Sequence, residues 1–299
     1  MIRRIGSTPE TWLFIAAGSL CLLLAQLDAF AGHSRALAVV LVVAVALTGL
    51  PHGALDPWVA WRAGLWRTRR GFATFHVAYI AIAVVVVLVW QVAPGPSLAA
   101  FLAISAWHFS GDWRDALNGW MRAPVGAALL SLPALAAPAE VSAIFTMLSG
   151  PEGGVLAGWL AIAAPWLAVA AAASALVALK RSTVNAVEIV VVAALAVLLP
   201  PLVFFLVYFC ALHSPRHLRL AAQSADARRV RRMATVAAAY TVLTVIAAAI
   251  AWPWITTGFV ATATPDAPLL RLLFVGLAAL TLPHMIVVLL SERRGPSLP

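Results

Sequence analysis

Long apolar runs, separated by short polar and arginine-rich stretches, extend along the whole chain of 299 residues. A membrane-spanning helix needs about 20 apolar residues, and no stretch shows the sustained alternation of polar and apolar positions that is typical of strands. The candidate segments are 11–30, 36–52, 72–92, 97–111, 124–148, 155–179, 186–212, 231–252 and 268–290. The pattern predicts an all-α fold, a polytopic bundle of transmembrane helices.

The arginines indicate which segments cross the membrane. They concentrate near both ends of the chain and in three loops, 53–71, 112–123 and 213–232. Positively charged loops favour the cytoplasmic side, but the third loop falls outside if every segment crosses. Pro133 and Pro138 interrupt segment 124–148, so we predict a broken hairpin there that does not span, which is tolerated where it is buried in protein. About eight spanning helices then remain, and both termini are cytoplasmic.

Composition agrees with a protein of the cell (inner) membrane. Hydrophobic residues make up 63% of the chain and charged residues 10%, whereas about 25% are charged in soluble domains. The formal net charge of +9 is assigned to topology and lipid headgroups, and no nucleic-acid partner is expected. The two cysteines form neither a disulfide framework nor a Cys-x-x-Cys metal pair.

Histidine carries most of the chemistry that these apolar segments contain. Five of the seven histidines lie in compact motifs within or near these segments, namely His52, His108, His213, His217 and His284. Ionisable groups are expensive in a membrane and mark functional sites, and imidazole-only coordination suits iron, copper or zinc. If the hairpin does not cross, the helices that carry these histidines all run towards the cytoplasm. The histidines then reach one depth, which favours a shared metal site.

The strongest single motif is His213-Ser-Pro-Arg-His217. Spacing of four residues places two imidazoles on one face of a helix, a common chelating arrangement. Pro215 either breaks that helix or begins a new one with Ser214 as its N-cap, and both histidines can converge on one ion in either case. The alternative interpretation places His217 in a basic patch that contacts lipid headgroups.

The other histidine motifs leave similar alternatives open. His52 could be an interfacial residue at a helix C-terminus, and His108 could belong to an aromatic belt. A carboxylate commonly fixes the tautomer of a ligating imidazole, which makes Asp56 and Asp112 candidates for outer residues of the site. His284 follows a proline inside the last helix and is either a further ligand or such an outer residue.

These motifs, in this order, resemble the Brp/Blh family of bacterial and archaeal membrane β-carotene dioxygenases. The resemblance runs from about Leu50 to Leu290. It rests on Pro-His-Gly-Ala-Leu-Asp at 51–56, Trp-His-Phe at 107–109, His-Ser-Pro-Arg-His at 213–217 and Pro-His-Met at 283–285. The match is looser at 108–112, where a serine precedes the glycine. Residues 1–35 would then form an additional N-terminal transmembrane helix, and 36–299 a helical domain like that of the dioxygenases.

The resemblance implies a non-haem Fe(II) enzyme that cleaves the central double bond of β-carotene with O2 and yields two molecules of retinal. The iron ligands it implies are His52, His108, His213 and His217, with His284 also important. An apolar channel would hold the carotenoid near the iron. Candidate lining residues are Trp107, Phe109, Phe205, Tyr208 and Phe209, although residues of this kind would also sit in the core of any bundle.

The implied partners are β-carotene, O2 and the lipid bilayer, and a retinal-binding opsin is a candidate downstream partner. Two other functions remain open. A membrane metal transporter would use the histidines as a path across the bilayer, and another membrane iron oxygenase would act on a lipid. A retinal-binding photoreceptor needs a lysine in mid-membrane, whereas Lys180, the one lysine, lies at the end of a segment.

Overall fold

The computed structural model describes residues 8–30, 32, 34–223, 226–256 and 266–294. The predicted cytoplasmic termini lie outside these residues, as does part of the predicted N-terminal addition. Within the described ranges the chain is helical between short turns and contains no strand, which confirms the all-α class.

The helices follow one another with short connections, and proline begins several of them. Pyrrolidine rings suit the first helical turn, where the backbone N–H has no helical partner. In chain order the helices are α1 Pro9–Gln26, α2 Ser34–Ala44, π1 Val45–Gly49, α3 Leu50–Gly53, α4 Asp56–Arg62, α5 Arg69–Val92, α6 Pro94–Ser110, a 3₁₀ turn Gly111–Trp113, α7 Gly119–Ala136, α8 Pro138–Ser149, α9 Pro151–Leu179, α10 Thr183–Leu198, α11 Pro201–Val207, π2 Tyr208–His213, α12 Ser214–Ala222, α13 Ala227–Thr256 and α14 Ala267–Arg294.

Membrane-spanning candidates confirm the polytopic architecture, although they are fewer than the expected eight. By length and hydropathy, the described residues contain 6 candidate spans, or 7 if a bent pair counts as one. Predicted segment 97–111 forms α6, which has 17 residues. Predicted segment 186–212 is interrupted after α10, where Leu199 and Pro200 leave the helix. The six are α1, Ser34–Arg62, α5, α9, α13 and α14.

The predicted interruption near 124–148 is present. Helices α7 and α8 meet at an angle of 112°. Ala137 joins them in a non-helical conformation, with φ −132° and ψ 63°, because the residue before a proline is disfavoured in the α region. Pro138 therefore marks the break, whereas Pro133 is accommodated inside α7. The non-crossing path of this segment stays a prediction.

Contacts divide the chain into two compact units. The first comprises Met1–Leu41 and Leu98–His213, and the second comprises Val42–Ser97 and Ser214–Pro299. In the first unit, α7 packs against α9 and α10, and α1 packs against α10, α11 and π2. In the second unit, α14 packs against α4, α5 and α13, and α12 packs against α3. Each unit contains some of the predicted site histidines.

Candidate metal centre

Two π-helices place histidines at the places where the helical hydrogen-bond pattern changes. A proline lacks the N–H that would satisfy the carbonyl four residues earlier, and Pro51 and Pro215 each follow a π-helix closely. In a π-helix each hydrogen bond spans five residues instead of four. In π1, for example, the Leu50 N–H donates to the carbonyl of Val45. Such turns are frequent at functional sites. His52 follows π1, and His213 is the last residue of π2.

A backbone carbonyl of π1 fixes the ring of His52 in the second unit. The carbonyl of Gly49 lies 2.5 Å from His52 Nδ1, and a carbonyl oxygen can only accept. Nδ1 therefore carries the proton, and Nε2 carries a lone pair. The carbonyl of Thr48 accepts the hydroxyl of Ser214 at 2.5 Å.

The Ser214 hydroxyl therefore donates to the backbone of π1 and does not serve as an N-cap of α12. The helix continues from π2 into α12 without an intervening turn. Of the two geometries left open for Pro215, the structure thus has a continuous helix, in which the wider turn of π2 adapts to the missing N–H. His213 and His217 follow each other by four residues along it.

The second unit also contains a hydrogen-bonded chain that ends at His284. His284 Nδ1 lies 2.7 Å from Asp56 Oδ1, and the Tyr79 hydroxyl donates to Asp56 Oδ2 at 2.8 Å. Asp56 is 1% exposed. The His52 ring lies near those of His217 and His284, with centroid distances of 5.7 and 5.4 Å.

The first unit repeats this chemistry around His213, which is fully buried. Asp112 lies on the 3₁₀ turn after α6, and its two oxygens accept from His213 Nδ1 at 3.2 and 3.1 Å. The Tyr208 hydroxyl donates to Asp112 Oδ2 at 2.7 Å. On the other side of the imidazole, His213 Nε2 lies 3.1 Å from His108 Nε2.

Most of the predicted channel residues surround His213. Phe109 meets the imidazole edge to face at 4.9 Å between ring centroids, and Phe209 stacks on it at 5.7 Å. Phe205 stacks in turn on Phe209 at 5.3 Å. Trp107 differs, because it is 45% exposed and the Arg122 guanidinium lies 4.9 Å from the centre of its ring.

The donor atoms fit a transition metal bound by imidazoles. Metal–nitrogen bonds of about 2.1 Å place neighbouring ligand nitrogens about 3 Å apart, as the Nε2 atoms of His108 and His213 are. Ligand atoms of His52 and His284 lie within 4.8 Å of each other. The Nδ1 atoms of His52, His213 and His284 each donate a hydrogen bond to a carbonyl or carboxylate oxygen. Residues around a metal site usually orient metal-bound histidines in this way.

Sequence reasoning found the histidines but not all of their partners. The sequence points to Asp56 because it lies close to His52, whereas its hydrogen bond is to His284, 228 positions away. No motif in the sequence points to Tyr79, and the sequence predicts Tyr208 only as a channel residue. One signal was available, because a tyrosine hydroxyl inside an apolar helix needs a hydrogen-bond partner.

Comparison with known proteins identifies the family. A family model described as beta-carotene 15,15'-dioxygenase matches residues 43–291. A beta-carotene 15,15'-dioxygenase of uncultured marine bacterium 66A03 is 30% identical over an alignment of 257 residues, which covers 82% of this chain and 90% of that protein. No solved structure shows significant similarity. The matched residues include all five histidines of the motifs, and the chain belongs to the beta-carotene 15,15'-dioxygenase family.

Proposed function

We propose that this protein is a membrane-embedded Fe(II) dioxygenase that cleaves the central double bond of β-carotene with O2, giving two molecules of retinal. Membership of the family supports the reaction. The proposal of a metal site is supported mainly by the tautomer of three histidines. His52, His213 and His284 each donate the Nδ1 proton to an oxygen acceptor. Their Nε2 atoms are thereby prepared as ligands.

His52, His108, His213 and His217 are proposed to hold the iron, and His284 to be a further ligand or to orient the others. Four neutral imidazoles suit Fe(II) and leave coordination positions for small molecules. The short Nε2 to Nε2 distance between His108 and His213 supports this set, as does the spacing of four residues between His213 and His217. When bound, iron supplies the activation of O2, which no protein side chain supplies.

The protein's own residues bind and orient the substrate. Phe109, Phe205 and Phe209 form an apolar, aromatic wall beside His213 that excludes water and offers ring faces to a conjugated polyene. Holding one double bond in place contributes several kcal/mol to catalysis, because it removes the entropic cost of orientation. Asp56 and Asp112 keep protons on Nδ1 atoms and away from the ligand nitrogens.

The proposed setting is the cell membrane, with both termini and the histidines on the cytoplasmic side. Arginine-rich loops support this orientation. β-Carotene and O2 are both apolar and both concentrate in the bilayer, so they can reach the histidines from the lipid. A retinal-binding opsin is proposed as a downstream partner because it would consume the product.

The test is expression in a β-carotene-producing bacterium, with the pigments extracted and separated by chromatography. We expect retinal from the wild type and none from His213→Ala. His76→Ala is the matched control, since His76 lies outside the motifs and pairs with Tyr240, and it should yield retinal like the wild type. Under ¹⁸O2, each retinal should carry one labelled oxygen if the enzyme is a dioxygenase.

Metal dependence is measured on the purified protein. Chelation should abolish retinal formation, and Fe(II) should restore it better than Zn(II). Unchanged carotene with a well-expressed, iron-loaded protein would contradict the proposal. Equal activity of His213→Ala and the wild type would contradict the assignment of the site.

A further inference from the structure

The hydroxyl groups of two tyrosines are placed where they can control metal binding indirectly. The chain has three tyrosines. Tyr208 and Tyr79 each donate to a carboxylate that in turn holds the Nδ1 of a histidine. Tyr240 differs, because its hydroxyl meets Nε2 of His76 at 2.6 Å. We infer that Tyr79 and Tyr208 are positioning residues of the metal centre, each acting through its aspartate. This inference rests on the proposed function.

The first unit shows why the hydroxyl matters. Tyr208 is 0% exposed, and its bond to Asp112 of 2.7 Å is shorter than the two from His213 Nδ1. The hydroxyl therefore anchors the carboxylate, and the carboxylate orients the imidazole. Hydrogen bonds to a charged acceptor are stronger than neutral ones, and a buried carboxylate that loses a donor is costly.

The second unit shows the same connection in a different backbone setting. Tyr79 lies on α5, Asp56 at the start of α4 and His284 within α14. Here each oxygen of Asp56 accepts one hydrogen bond, Oδ1 from the imidazole of His284 and Oδ2 from the hydroxyl of Tyr79. Rotation of the carboxylate would break both bonds at once. A donor at each oxygen thus holds the plane in which the imidazole is oriented.

A tyrosine that only fills space would tolerate removal of its hydroxyl. If the hydroxyl positions the aspartate, its removal lets the carboxylate turn and weakens the hold on the histidine tautomer. Loss of an outer partner of a metal-bound histidine typically reduces metal affinity about 10- to 100-fold. We expect about a tenfold loss for each tyrosine, at the lower end of that range, because the aspartate itself remains.

The experiment measures Fe(II) binding to the full chain in detergent by competition with a chromogenic chelator. Tyr79→Phe and Tyr208→Phe should each bind Fe(II) about tenfold more weakly than the wild type. Tyr240→Phe is the matched control and should bind like the wild type. Thermal unfolding of the metal-free proteins accompanies each titration, and the absorption bands of bound Co(II) report changes in ligand geometry that stability alone would not cause.

A double-mutant cycle tests the route through the aspartate. If Tyr208 acts through Asp112, adding Tyr208→Phe to Asp112→Asn should cost little more than Asp112→Asn alone, since residues in one network are not additive. Wild-type affinity and spectra in both tyrosine variants, or fully multiplicative losses in the cycle, would overturn the inference. A wild type that binds no Fe(II) would overturn the metal site itself and the inference with it.

Discussion

At the scale of single residues, the proposed centre depends on carboxylates placed deep among apolar helices. Asp56 and Asp112 are both buried, and such groups are costly within a membrane unless they are paired. Each receives one donor from a tyrosine and one from an imidazole. The polar contacts that offset the cost of burial are therefore the same contacts that orient the histidines.

The first prediction concerns Asp56→Asn, which keeps the shape of the side chain and removes its charge. An amide accepts from His284 less strongly than a carboxylate and cannot accept at both ends. We expect Fe(II) affinity to fall at least tenfold, with less retinal formed per protein. Asp115→Asn is the control, because Asp115 lies three residues after Asp112 in the chain but is exposed. Undiminished iron affinity in Asp56→Asn would contradict the role given to the carboxylate.

Residue types could be predicted from the sequence much better than their pairing. His213 and His217 stand out because four-residue spacing is a local property of a helix. The bond between Asp56 and His284 joins residues 228 positions apart, and no local pattern encodes which distant donor meets which acceptor. The same holds for Tyr79, whose hydroxyl looks like an isolated polar group in an apolar run.

At the scale of helices, close packing holds the segment that carries His108. A Cβ atom on Gly126 of α7 would lie 2.0 Å from the carbonyl oxygen of Ala106 in α6. Only glycine permits this approach, and Ala106 precedes His108 by two residues. The α1 helix packs similarly against π2, where its Phe14 lies edge to face with Tyr208 at 6.5 Å. Thr11 also anchors α1 to α10, because it donates to buried Glu188 at 2.8 Å.

The second prediction is that Gly126→Ala displaces α6 and impairs the centre. Overpacking of this kind costs about 1–3 kcal/mol, so the thermal midpoint and retinal formation should both fall. Gly158→Ala in α9 is the matched control, since its Cβ would meet nothing within 4 Å. Alanine is favoured over glycine in a helix by about 1 kcal/mol, and this variant should keep its activity. Equal behaviour of the two variants would contradict the packing argument.

Helix positions followed from the apolar runs, but the irregular helices did not. Hydropathy reads length and polarity, so it located α5, α9, α13 and α14 well. It also joined 186–212 into one helix, although Pro200 interrupts it. The sequence does not predict the π-helices. A proline can make a helix kink, end or widen, and the local pattern does not distinguish these three outcomes.

At the scale of the whole molecule, the path of the chain through the membrane depends on the bent pair α7 and α8. Their angle of 112° agrees with a segment that turns back, and the arginine-rich loops favour the same path. If the pair does not cross, the start of α9 faces the cytoplasm. The proposed orientation of the histidines depends on this point.

The third prediction is therefore made on a variant in which Cys21 and Cys210 are replaced by alanine. Glu152→Cys, at the exposed start of α9, should not react with a membrane-impermeant maleimide in intact cells. Arg114→Cys should also remain unlabelled. Arg181→Cys, just after the C-terminal end of α9, should be labelled. Labelling of Glu152→Cys from outside would show that α7 and α8 cross, and the proposed orientation would be wrong.

The wide turn of π1 makes the number of residues before His52 matter more than their identity. A π-turn holds one residue more than an α-turn, so deleting one of residues 45–47 would restore ordinary bonding and shift the Thr48 carbonyl away from the hydroxyl of Ser214. Apolar substitutions in the same segment leave that count intact. A variant that shortens or transplants this helix should therefore keep the number of residues in this segment, whereas its apolar side chains can be changed.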